Sequence, residues 1–260
     1  VTTAIAGLAS TWPSPVLVVD ADPSGGDLVP GWLGSWSANG WIQPDKGVVS
    51  FARATRQLVS VPSEGFAGHV QPVPGIGHAR LLAGVTSRAQ AAAIGDDGWH
   101  RIASAARDLT RDDGPDVLID AGRWVPGTPW PLITEADLVL LTVRPSLRHV
   151  QAALPIARTL HETVPPDRLG LAVCATAHRS AHFVARVLGS PLVLELPDEP
   201  DGARVFSEGA RRHHDPEQCQ LHQATHKAAR RFHTWLSPHA RHNSPDRGPL
   251  SILRSQGGAA

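Results

Sequence analysis

The chain has 260 residues, 42% of them hydrophobic, which suits one large domain or two small ones with a substantial core. Lys and Arg number 24, as do Asp and Glu, so the formal net charge is zero and no global nucleic-acid footprint is present. Two cysteines, Cys174 and Cys219, make no disulfide scaffold and fit a reducing cytoplasm, and no apolar run reaches the roughly 18–20 residues of a membrane span.

Thr2–Ser10 predicts a helix of small residues, stopped by Trp12-Pro13-Ser14-Pro15. Its apolar start carries no basic segment, so no signal peptide is expected and a cytoplasmic location is. Val16–Val19 reads as a buried strand that ends in Asp20 and Asp22. Gly31–Pro44 reads as a loop whose bulk is Trp32, Trp36 and Trp41, a lid over the core or a contact surface for another protein. Helical spacing returns over Val48–Leu58, and a short strand is expected within Val59–Gln71 before the turn Pro72–Gly75. Arg88–Leu109 is the longest predicted helix.

Asp116–Ile119 is a second buried strand capped by Asp120-Ala121-Gly122, and Asp137–Val143 a third. A helix over Leu147–His161 enters through Ser146 and is expected to kink at Pro155. Leu169–Ala175 and Pro191–Leu196 read as strands, Ala181–Leu188 and Glu217–Leu236 as helices. Strands apolar throughout, alternating with helices, predict an α/β fold: a mostly parallel sheet with helices on both faces. Residues 1–236 are expected to form one domain, with Ser237–Ala260, rich in Pro, Gly, Ser and His, as a disordered tail.

The chemistry gathers in Val16–Leu28, read V-L-V-V-D-A-D-P-S-G-G-D-L. Ligands in open α/β sheets bind at the C-terminal ends of strands. Two acids two positions apart face the same way if the strand stays extended. D-x-D-P-x-G-G-D after an apolar strand resembles the second signature of the ParA/MinD family of P-loop ATPases. Val1-Thr2-Thr3, opening a small-residue helix, resembles the end of a Walker A motif, and Val-Leu-Ile-Asp120 resembles Walker B. Val1 stands where that family has a lysine, so the motif is degenerate. The glycine loop and its preceding strand are expected upstream, which fits a sequence without methionine.

The resemblance implies a P-loop NTPase-like fold, with ATP and Mg²⁺ as cofactors. It implies Asp22 as the catalytic residue that orients the attacking water. Val1, Thr2, Thr3, Asp20, Gly122, Pro197 and Asp198 would contact the nucleotide, and Thr2 and Asp120 would hold the metal. It further implies an ATP-dependent homodimer that positions DNA, a septum component or a secretion or pilus machine with a protein partner. The net charge does not support DNA or a membrane surface as that partner. Val1, the Ala175-Thr176-Ala177 stretch where the family often has an adenine-contacting Asn, and Arg123-Trp124 favour an alternative, a non-hydrolysing relative acting as a scaffold. Arg123 is weighed as a replacement for the lysine charge and read as a surface residue. An unrelated α/β enzyme is the third reading, and the absence of a G-x-G-x-x-G run counts against a Rossmann version.

The terminal helix carries an apolar stripe, Leu221, Ala224, Ala228, Phe232 and Trp235, which predicts docking on the domain. Its other face holds Cys219, His222, His226 and His233. That spacing suits zinc, but no second ligand cluster accompanies it, and a solvated face is expected. Lys227, Arg230 and Arg231 offer a second option, contact with anionic lipid.

Overall fold

A computed structural model describes residues 1–58, 61–62, 64–111, 114–174, 178–209 and 219–236. The described elements, in chain order, are α1 (Thr2–Thr11), β1 (Val16–Asp20), a π-helical turn (Leu28–Trp32), α2 (Gly34–Ala38), α3 (Val48–Ala54), β2 (Gln71–Val73) and β3 (Ile76–Leu82). There follow α4 (Arg88–Leu109), β4 (Asp116–Asp120), α5 (Trp130–Thr134), β5 (Val139–Val143), α6 (Leu147–Thr163) and β6 (Leu169–Cys174). The last are α7 (His178–Leu188), β7 (Leu192–Leu196), α8 (Pro200–Ser207) and α9 (Gln220–Leu236). The described residues divide into two compact units, Val1–Glu135 with 201–209, and Ala136–Pro200 with 219–236.

The first unit is built on a sheet of order β2-β3-β1-β4. β1 is parallel to both neighbours, and its register sets Asp20 directly opposite Asp120. Only β2, at the edge, runs antiparallel. All five residues of β1 are buried, as its unbroken apolar run predicts. Leu17 and Val19 join a core with Phe51, Trp99, Ile102 and Leu132 from α3, α4 and α5. Val16 and Val18 point to the opposite face, where α1 lies against β1, β3 and β4. The buried residues of α1 are nearly all small, Ala4, Ala6, Gly7 and Ala9 beside Leu8, so its axis can lie close to the sheet. This close seat brings the start of α1 to the ends of β1 and β4.

The second unit has an all-parallel sheet, β5-β6-β7. Val143, Leu171 and Val173 pack with Val150, Ala153 and Ala157 of α6 and with Val184 and Leu188 of α7. α6 runs through Pro155 as one helix. α9 packs on β7 and buries Leu221, Ala228, Phe232 and Trp235, the stripe expected to dock, with Ala224 only half-buried.

Several elements differ from the sequence expectation. The expected loop Gly31–Pro44 begins within the π-helical turn and contains α2. Trp32 is buried against Phe206, while Trp36 and Trp41 are exposed and meet edge to face. β3, α5 and α8 stand where no element was expected. α4 is interrupted at Gly95, whose φ of 67° is non-helical. Residues 175–177 and 237–260, including the stretch compared with an adenine contact and the expected tail, lie outside the described residues.

Candidate functional site

α1 starts at Val1 without a side-chain cap. A helix start leaves several backbone N–H groups without intrahelical partners and carries a partial positive charge. The Thr2 side chain lies close enough to the Asp120 carboxyl to favour its charged form. Asp20 and Asp120 are each 1% exposed, and Asp22 is 5% exposed. Sequence motifs separated by about a hundred positions thus converge at one end of one sheet.

The three acids are held differently. Asp120 accepts from the Gly122 amide at 2.9 Å, while its Oδ2 is buried with no hydrogen-bond partner among the described residues. Asp20 also buries an unpartnered Oδ2. Asp22 Oδ1 accepts from the Ser24 amide at 2.7 Å, an Asx turn that fixes the carboxylate. Burial pushes the Asp20 carboxyl up to about 8, with the neighbouring Asp120 charge adding to it and the amides of Asp22 and Leu28 opposing. Asp120 is also raised by burial, against the pull of the Thr2 and Gly122 hydrogen bonds. Two buried carboxyl groups side by side, each with an oxygen that has no partner among the described residues, form a locus of unmet polar groups whose charged forms burial disfavours.

Glycines make room for this arrangement. A Cβ on Gly26 would lie 2.2 Å from Asp20 Oδ2, and one on Gly84 2.6 Å from Asp20 Cγ. Gly122 has φ +70°, and a Cβ there would lie 2.1 Å from Asp22 Cγ. The Asp20 carboxylate is therefore walled by two backbones that only glycine allows to approach.

A cavity of about 490 Å³ opens over the site, within the usual range for a small-molecule pocket. Val1, Thr2 and Thr3 at the start of α1 line it together with Asp22, Gly122 and Arg123. Asp27, Pro30 and Gly31 of the π-helical turn and Phe206 and Ser207 of α8 complete it. Of the residues singled out in the sequence, Val1, Thr2, Thr3, Asp22 and Gly122 line the cavity directly. Asp20 and Asp120 lie buried at the strand ends beside it. Pro197 and Asp198 follow β7 in the second unit, and every lining residue belongs to the first.

Sequence reasoning passed over Asp27, the Gly26–Gly84 cage and the wall formed by Phe206 and Ser207. A clue to the first two existed in the P-S-G-G-D turn; Gly84 and Phe206 come from distant segments and left no local signal. The histidines of α9 gather no site. Cys219 Sγ donates to Glu199, and no group of three or more His, Cys, Asp or Glu suited to a metal occurs among the described residues.

The solved structures that resemble this chain share its architecture over nearly its whole length. The cell division ATPase MinD of Pyrococcus furiosus superposes with a TM-score of 0.65 at 15% identity, covering 90% of this chain and 92% of that one. The chain has the MinD/ParA ATPase fold. A ParA family ATPase from Chlorobium tepidum gives a TM-score of 0.63 at 15% identity, over 88% of this chain and 90% of its own. MinD of Pyrococcus horikoshii, a septum site-determining protein solved with Mg-ADP, gives 0.58 at 13% identity, over 89% of each. No protein-family model and no curated protein matches the sequence. The MinD/ParA fold is thus shared at a sequence distance where whole-sequence similarity has faded. Among the described residues no helix is long and apolar enough to cross a membrane.

Proposed function

We propose that the chain binds magnesium-bound ATP in the cavity at the start of α1 and works as a nucleotide-dependent, dimerising switch of the ParA/MinD type. One observation carries this: the uncapped start of α1, bearing Thr2 and Thr3, meets three carboxylates, two of which bury an oxygen with no partner among the described residues. Helix starts suit phosphate, and orphaned carboxylates suit a hard cation. The residues fit magnesium: the Thr2 hydroxyl, Asp120 and the nearby Asp20 are all oxygen donors. They are too few to enclose an ion, which suits a metal that keeps water and takes phosphate oxygens. Bound there, the metal supplies charge neutralisation for phosphoryl transfer.

The chain's own residues have separable roles. Thr3 and the first amides of α1 receive the phosphates, and Thr2 and Asp120 hold the metal. Asp22, fixed by the Ser24 amide and open to the cavity, orients a water for attack. Gly122 keeps the space beside Asp22 free of a side chain. Asp22→Ala is expected to leave MgATP binding intact and to lower turnover by roughly 100-fold or more. Hydrolysis at the parent rate in that variant sinks the role given to Asp22, and no MgATP binding at millimolar concentration sinks the site itself. ATP-dependent dimerisation is checked by light scattering with and without MgATP.

A scaffold that binds nucleotide without hydrolysing it is the second reading. The cavity lining favours it to this extent: it contains two carboxylates, Asp22 and Asp27, and no lysine. MgATP binding with no turnover in the parent chain would select it.

A further inference from the structure

We propose that Arg123 is the side-chain cation that grips the phosphate chain of the ligand in this cavity; the assignment rests on the nucleotide reading above. Arg123 lines the same cavity as Thr2 and Thr3, and it is the single Lys or Arg among the lining residues described. It is exposed, and no ion pair or hydrogen bond engages it among the described residues, although Asp22 and Asp27 line the same space.

The loop that carries it is braced. Gly122, at φ +70°, turns the chain sharply off the end of β4. Just beyond, Trp124 meets Trp130 edge to face at 5.1 Å. The turn that follows is closed by Thr128 Oγ1, which accepts from the Val125 amide at 3.1 Å and donates to the Val125 carbonyl at 2.7 Å. The Trp130 amide then donates to the Thr128 carbonyl at 2.8 Å. A braced loop that places an unengaged arginine in the cavity lining is suited to meeting a ligand there.

Electrostatics gives the cation its purpose. The cavity lining holds Asp22 and Asp27 beside Arg123, while Asp20 and Asp120 are buried and burial disfavours their charged forms. Two carboxylates in the lining disfavour a bare polyphosphate, so it enters best with a divalent cation, and beside the Val1 amino terminus Arg123 is the side-chain cation left for its oxygens. Guanidinium is the group best shaped for two-pronged contact with phosphate oxygens. An ordinary surface arginine would account for the exposure but not for its place in one cavity lining with the start of α1.

The test titrates the full chain and its Arg123→Gln and Arg123→Lys variants with MgATP and with magnesium tripolyphosphate. Unchanged far-ultraviolet dichroism and melting are expected for an exposed side chain. Arg123→Gln should weaken both ligands by the same factor, about 10- to 100-fold, the range for a charge-assisted contact. Arg123→Lys should recover part of the loss, and the difference should shrink at high salt. Equal MgATP affinity in parent and Arg123→Gln overturns the assignment and leaves the nucleotide site standing. A loss for MgATP but not for tripolyphosphate also overturns it, because the residue would then act on the nucleoside. A parent chain that binds neither ligand overturns the nucleotide reading and this inference together.

Discussion

The two units end their strands in opposite ways. In the first, β1 and β4 finish in Asp20 and Asp120, each 1% exposed and each with an unpartnered oxygen. In the second, β5, β6 and β7 finish in Val143, Cys174 and Leu196. There Glu199 and Arg231 are engaged in holding α9. Glu199 accepts from the amides of Gln220 at 3.2 Å and Leu221 at 2.7 Å, capping α9. Arg231 donates to the Val193 carbonyl on β7 and lies over the Trp235 ring at 4.7 Å. One unit buries carboxyl groups that lack a full set of partners among the described residues, and the other uses its charged groups to brace a helix. A binding site is expected in the first kind of structure, because a ligand can relieve what the fold leaves unmet.

The sharpest way to break this contrast is to remove packing from the second unit. Phe232 is 3% exposed and meets Trp235 at 5.4 Å. Phe232→Ala is expected to cost about 3–5 kcal/mol, read from urea denaturation. A loss below about 1 kcal/mol would show that α9 is not anchored by this stripe.

A smaller effect is expected in the first unit, with a distinctive coupling. Gly84→Ala places a methyl 2.6 Å from Asp20 Cγ, and the carboxylate cannot retreat because Gly26 walls its other side. Overpacking of this kind costs about 1–3 kcal/mol. In an Asp20→Ala background the same change should cost little, since the obstructing group is gone. Additive losses in that double-mutant cycle would rule out the cage.

The cage also shows where sequence stops being informative. The apolar run V-L-V-V followed by acids was legible as a strand opening into a site, because its pattern is local. β4 was legible for the same reason, and so were the long helices, through their spacing. The face-to-face register of Asp20 and Asp120 was not, since it depends on how two distant strands pair. Gly84 reaches Asp20 only after β3 returns alongside β1, so nothing near either residue announces the contact. β3 itself was missed because Gly77, His78 and Arg80 break its apolar alternation and leave its first half partly exposed. α8 was missed because it is short and buries one residue, Phe206. Arg123 was visible as a residue, but the role proposed for it rests on sharing with Thr2 and Thr3 the lining of a cavity that only the folded chain creates.

The last contrast is in proton binding. Asp20 has an ordinary value of 3.8 and is pushed up to about 8 in the folded chain, first by burial and then by Asp120. Between those values the folded chain keeps a proton that the unfolded chain has lost. Stability from this group is therefore complete below about pH 4 and falls as pH rises towards 8, by at most about 1.4 kcal/mol per pH unit. Asp120, raised by burial as well, acts in the same direction. The buried polar residues described in the second unit are Ser190 and Thr225, which do not titrate in this range and add no slope. Urea midpoints at pH 5, 6, 7 and 8 should decline in the parent chain, and Asp20→Asn should flatten the decline because an amide carries no proton to lose. A parent chain whose stability rises across that interval would mean that Asp20 is ionised in the fold. Its unpartnered oxygen would then already have a counter-charge, and the contrast between the two units would lose its basis.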